Sequence, residues 1–146
     1  MISYESSDVF RQVCEEAEKL TNKKLDEIDT DFLVDLLLEM SNDFKDSIIN
    51  WFGTNISHRY KIQNISKEKS YLLPNWKITV NKSISNAKRK IKRNPSLKKW
   101  VLDNWDEVWE TALEDYADAK IEFNDLPDIT DKQCPWSFDE LMIRMD

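Results

Sequence analysis

Residues 94–118 read NPSLKKWVLDNWDEVWETALEDYAD, and this stretch decides the fold. Leu97, Val101, Trp105, Val108, Ala112 and Tyr116 recur at spacings of three and four, the period of one helix face. Leu102, Trp109 and Leu113 widen that stripe, while Asp103, Glu107, Glu110, Glu114 and Asp118 take the opposite side. A strand, whose faces alternate every second residue, cannot sort these residues this way. The spacing predicts one helix over 95–122. Pro95 has no N–H, which the first helical position does not need, and Asn94 is expected to cap it.

The same period extends upstream. Trp76, Val80, Ile84, Ala87 and Ile91 share a face of a helix expected over 74–93. Before it, Leu33, Leu36, Leu37, Met40, Phe44, Ile48 and Trp51 line a second helix, with Thr30 as its expected cap. Gly53 either kinks that helix or lets it continue toward Ile65 at a cost of about 1 kcal/mol. Residues 66–70 read as a polar break. A first helix is expected over 7–20, on a stripe of Val9, Val13, Ala17 and Leu20, with Ser6 or Ser7 as cap. Residues 123–131 form a polar tail expected to wrap the bundle. Ser137 and Glu140 have capping-box spacing, so a last short helix is expected to bring Trp136, Phe138, Leu141 and Met142 to one end of the core. The expectation is therefore an all-α, single-domain bundle over 1–146, of about four helices, mainly antiparallel, closed by a short C-terminal helix. The single glycine speaks against strand-and-turn architecture and against a glycine-rich phosphate loop.

Charge is strongly segregated. Residues 59–99 carry +12, residues 1–58 carry −8 and residues 100–146 carry −11, for a net charge of −7. On the third helix Lys82, Arg89 and Arg93 fall on one outward face, while Lys88 and Lys92 flank the apolar stripe; Arg59, Lys61, Lys98 and Lys99 are expected to add to the patch. Three roles for this basic set stay open. The stems can lie on apolar surface with the heads meeting the acidic helices; the patch can hold an acidic protein partner; or it can contact nucleic-acid phosphates. Association with a second copy of the chain is left open too.

Other chemistry is sparse. His58 is the single histidine, and with only Cys14 and Cys134 it forms no recognisable zinc set. No Glu-x-x-His occurs to build a dimetal site, and the acids, including Glu15, Glu16 and Glu18, read as solvated faces. Trp105 and Trp109 read as core rather than as a stacking platform, with Trp100 nearer the edge. No catalytic set, cofactor site or metal site is expected, and the reading is non-enzymatic. The first residues lack the basic start and apolar core of a signal peptide, and no apolar run reaches the length of a membrane span. With two cysteines read as reduced thiols, a cytoplasmic protein is expected.

Several segments also carry a combined likeness. Leu25-Asp26-Glu27-Ile28-Asp29 precedes a Leu-rich acidic helix. Trp76-Lys77-Ile78-Thr79-Val80 opens the third helix, and Asn94-Pro95-Ser96-Leu97 joins it to the fourth. Leu126-Pro127 and Cys134-Pro135-Trp136-Ser137-Phe138-Asp139-Glu140-Leu141 follow. In this order the chain resembles the bacterial family called domain of unknown function 29. The resemblance implies an all-α bundle of about this length. It implies no activity and no catalytic residues, so no site is carried over from it. Beside it, Cys134-Pro135-Trp136 reads as a rigid lead-in to the last helix, with Cys134 a small buried apolar group.

Overall fold

A computed structural model describes residues 8–146. Their regular elements are all helices, with no strand among the described residues. Two compact units are distinguished, one up to Phe44 and one over Lys45–Asp146, and each is described by itself.

The N-terminal unit contains α1 (Val9–Thr21), a 3-10 turn (Leu25–Glu27) and the first part of α2 (Thr30–Asn64). The expected caps Ser6 and Ser7 lie outside the described residues; Asp8 caps α1, its carboxylate accepting the Arg11 N–H at 3.0 Å. Asp29, not Thr30, supplies the side-chain cap of α2 by accepting the Phe32 N–H at 3.0 Å. Lys23, at φ 56°, lets the backbone turn out of α1, with the Lys24 N–H returning to the Lys19 carbonyl at 2.9 Å. Glu16, expected on a solvated face, is instead buried. It accepts the Asp29 N–H at 3.1 Å and the Lys19 ammonium at 3.0 Å, tying α1 to the start of α2.

The C-terminal unit holds the rest of α2, a 3-10 segment (Lys67–Leu72), α3 (Leu73–Arg93), α4 (Ser96–Asp103), α5 (Trp105–Glu122) and α6 (Phe138–Leu141). Phe52 of α2 meets Trp105, Gly53 meets Thr111 and Tyr60 meets Tyr116, so α2 and α5 run in the same direction. Trp76 at the start of α3 touches His58 and Phe123, so α3 runs against both. Of the predicted stripes, Ile48, Val80, Ile84, Val101, Val108 and Ala112 are almost entirely buried, and Phe52 and Ile56, outside the predicted stripe of α2, join them in the core.

Two helix ends differ from expectation. The predicted fourth helix breaks at Asn104, which leaves helical geometry at φ −117°, ψ 31°. Its backbone N–H reaches Trp100 and Val101, and its side-chain amide donates to the Trp100 carbonyl at 2.8 Å, closing α4. An Asn side chain competes with the backbone for such bonds, so the apolar stripe passes through the break unchanged. At the earlier junction Asn94 closes α3 by donating its side chain to the Lys90 carbonyl at 3.1 Å; no side chain caps α4.

Gly53 does not kink α2. A Cβ placed there would lie 2.7 Å from Thr111 Cγ2 and 3.2 Å from its Cβ, so the missing side chain lets α2 and α5 approach. Gly53→Ala gains about 1 kcal/mol of helix propensity but meets overpacking of about 1–3 kcal/mol. It is expected to destabilise the otherwise unchanged protein by about 1 kcal/mol and, with Thr111 Cγ2 gone and only the 3.2 Å contact to Cβ left, to stabilise a Thr111→Ala background by about 0.5 kcal/mol. Urea denaturation of the four proteins checks this reversal of sign.

The tail is fastened by two phenols. The Tyr116 hydroxyl donates to the Pro127 carbonyl and the Tyr60 hydroxyl to Asp131 Oδ2, each at 2.6 Å, while Leu126 is buried. Burial, then the neighbouring Asp131 carboxylate, pushes the Tyr60 phenol above its ordinary range. The expected capping box is present: Ser137 and Glu140 exchange hydrogen bonds at 3.2 Å in both directions. It delivers Leu141 into the core and sets Phe138 against Phe52 and Trp136 against Tyr60.

Candidate interaction surfaces

The five expected basic residues of α3 are all exposed, and two of them share a groove. Lys82 and Arg89 line a groove of about 390 Å³ together with Ser85, Asn86 and a residue not singled out from the sequence, Arg144. Helical spacing puts Lys82, Ser85, Asn86 and Arg89 on one stripe of α3, at i, i+3, i+4 and i+7. Lys88, Lys92 and Arg93 are exposed but do not line the groove. Arg144 arrives from the C-terminal segment, its guanidinium donating to Ser85 Oγ at 3.0 Å. The backbone on both sides of Arg144 is held. Asn81 donates to the Met145 carbonyl at 2.8 Å and accepts the Met145 N–H at 2.7 Å, while Arg59 donates to the Ile143 carbonyl at 2.9 Å. No carboxylate is among the groove's lining residues.

Arg59 and Lys61, expected to add to the basic patch, are instead buried, and Arg59 belongs to a polar cluster. Its Nε donates to Asn55 Oδ1 at 2.6 Å, and Asn55 Nδ2 donates to the Leu141 carbonyl at 2.8 Å. Both side chains are buried, and burial lowers the guanidinium's affinity for its proton. The signal in the sequence was weak: one Asn and one Arg four apart on the apolar side of α2.

His58 sits beside this cluster. Its Nδ1 lies 2.9 Å from the Thr54 carbonyl, which can only accept, so that nitrogen carries the hydrogen. Nε2 is then free to accept from the Lys61 ammonium at 3.2 Å. Lys61 also lies 4.8 Å from the Trp76 ring centre. Burial, then the Lys61 charge, lowers the His58 pKa to about 4. The folded state therefore prefers neutral imidazole, and this contribution is complete above pH 6.5 and lost as pH falls toward 4. It amounts to about 3 kcal/mol. His58→Gln is expected to flatten the stability profile over pH 6.5–4, measured by urea denaturation at stepped pH.

Cys134 donates its thiol to the Trp136 carbonyl at 3.3 Å, and burial pushes its pKa up, opposite to a reactive thiolate. Both cysteines are free. Trp109 is buried and Trp105 half-buried against Phe52; Trp100 is half-buried with Lys45 near its ring. Among the described residues, no three His, Cys, Asp or Glu side chains cluster closely enough to hold a metal ion, and no helix is long and apolar enough to cross a membrane.

The N-terminal unit presents a second surface. Among its described residues no apolar side chain is buried, and the one buried residue is Glu16. Phe10 is 78% exposed, Leu37 62% and Leu38 59%; Leu20, Leu25, Val34 and Met40 are exposed as well. The expected stripe holds only partly here: Leu33, Leu36 and Phe44 are half-buried, whereas Leu37 and Met40 face solvent. Val34, Leu37 and Leu38, at i, i+3 and i+4, make a second apolar face on α2.

The fold, the ordered motifs and the whole-chain extent agree with one family. The model of the domain of unknown function DUF29 matches residues 4–145, and the chain belongs to that family. No curated protein and no solved structure matches it.

Proposed function

We propose that this protein is a non-enzymatic interaction or regulatory factor of the cytoplasm, and that it docks onto another protein through the apolar faces of α1 and of residues 32–40 of α2. One observation carries this reading: the N-terminal unit exposes seven large apolar side chains and buries none of its apolar side chains among the described residues. A helix apolar around most of its circumference needs cover on more than one side. Exposed apolar faces of this kind mark contact sites. The unit's acids, among them Asp26, Glu27, Asp31 and Asp43, favour a partner whose apolar groove has a basic rim.

The test is site-specific photo-crosslinking in the native cell, with a photoreactive residue at position 37 and, as control, at position 99. A single protein adduct at 37 that is missing at 99, and lost in Leu38→Glu, is the expected result. Matching adduct patterns at the two positions would overturn the reading.

A second reading, nucleic-acid binding by α3, rests on the exposure of Lys82, Lys88, Arg89, Lys92 and Arg93, none of which has an ion-pair partner among the described residues. It requires a gel shift that weakens steeply with salt and disappears when Lys82, Arg89 and Arg93 are changed to Glu.

A further inference from the structure

The groove between α3 and the C-terminal segment has the make-up of a site for one compact dianion. Three cations line it: Lys82 and Arg89, two turns apart on α3, and Arg144 from the C-terminal segment. Ser85 lies between Lys82 and Arg89 on the same stripe of α3; its hydroxyl already engages Arg144 and retains acceptor and donor capacity for a ligand. Like charges gathered around a small groove repel one another, and no carboxylate lines the groove to offset this. An exposed Arg on a loose terminus would swing away. Here Ile143 and Met145 are both pinned, by Arg59 and by Asn81, so the backbone holds Arg144 over the groove. The volume, about 390 Å³, falls in the range of small-ligand sites.

From these features we infer that the groove binds a phosphomonoester group through Lys82, Arg89 and Arg144, with Ser85 as an additional hydrogen-bond donor. A carboxylate brings one charge and two oxygens, which a single Arg satisfies. A phosphomonoester brings a charge of about −1.5 to −2 and three strong acceptor oxygens, matching three cations and a hydroxyl. A nucleic-acid strand is the poorer fit. Its charges are strung out, whereas Lys88, Lys92 and Arg93 do not line the groove. Asn81 is a positioning residue: it carries no charge and acts by holding Arg144.

The experiment is a titration of the isotopically labelled full chain, followed by amide chemical shifts at constant ionic strength. The probes are inorganic phosphate, a phosphoserine peptide, its unphosphorylated form and acetate. Saturable shifts centred on residues 78–89 and 143–145 are expected with both phosphate probes. Tighter binding of the peptide identifies a phosphorylated side chain as the ligand; equal binding identifies a small phosphate. Arg144→Gln is expected to weaken binding about tenfold, and Asn81→Ala several-fold with no change in charge. Lys92→Gln, the same charge change outside the groove, should leave binding within about twofold. The inference fails if Lys92→Gln weakens binding as much as Arg144→Gln, if acetate binds as tightly as phosphate, or if the shifts never saturate. It also fails if single-stranded DNA binds more tightly than the phosphate probes and is weakened equally by Arg144→Gln and Lys92→Gln. Arg144→Gln alters an exposed side chain, and an unchanged melting temperature confirms that loss of binding is not loss of fold.

Discussion

Phe52→Ala is expected to destabilise the C-terminal unit by about 3–5 kcal/mol. Phe52 is 1% exposed and packs between aromatic rings of α5 and α6. Its ring lies edge-on to Trp105 at 5.9 Å and tilted against Phe138 at 5.1 Å. Truncation therefore leaves a cavity between α2, α5 and α6 at once. The α6 side of that cavity is weakly supported, because α6 spans only Phe138–Leu141. Release of α6 can relax the cavity, and the cost then falls toward the lower bound while the C-terminal segment becomes open to proteases. Urea denaturation, with limited proteolysis in parallel, separates the two. A loss below about 1 kcal/mol, the level of an ordinary surface change, would show that Phe52 does not organise the core.

Asn55→Ala is expected to cost about 2–4 kcal/mol although it removes only a small side chain. Asn55 accepts from the Arg59 guanidinium and donates to the Leu141 carbonyl. Without it, Arg59 Nε is left buried with no acceptor, and a charged group in that condition is penalised more than a neutral one. The Leu141 carbonyl keeps only its longer contact from Arg59, at 3.3 Å. Asn64→Ala is the matched control. Its amide donates to the Tyr60 carbonyl near the end of the same helix, outside the buried cluster, and is expected to cost less than about 1 kcal/mol. Because Arg59 also holds Ile143, Asn55→Ala should weaken phosphate binding in the α3 groove from a distance. Equal stability of the two variants would remove the buried cluster as the clamp of the C-terminal segment.

The helices were legible from apolar spacing because their side chains do face one interior. Trp76, Val80, Ile84 and Ala87 read as a stripe and are buried; so do Leu97, Val101, Val108, Ala112 and Tyr116. The capping box at Ser137 was equally legible, since its two hydrogen bonds are made within four residues. Features that depend on distant partners were not. Asn104 and Asn94 are ordinary in a helical pattern until their side chains turn back onto carbonyls four residues earlier. Glu16 looked like its neighbours Glu15 and Glu18, and only the return of the chain at Asp29 buries it. The basic stripe of α3 shows Lys82 and Arg89, but Arg144 lies in an acidic block 55 positions beyond Arg89, where no spacing ties it to them. The apolar pattern of residues 32–40 was visible as well; that it faces outward in part was not, because periodicity marks a face without saying what covers it.

The close passage at Gly53 and Thr111 also binds two distant codons to one another. In any descendant of this chain, a methyl gained at the first position should accompany one given up at the second. The pair ought therefore to change together across the family, leaving a record of helix proximity that can be sought in genomes without purifying a single protein.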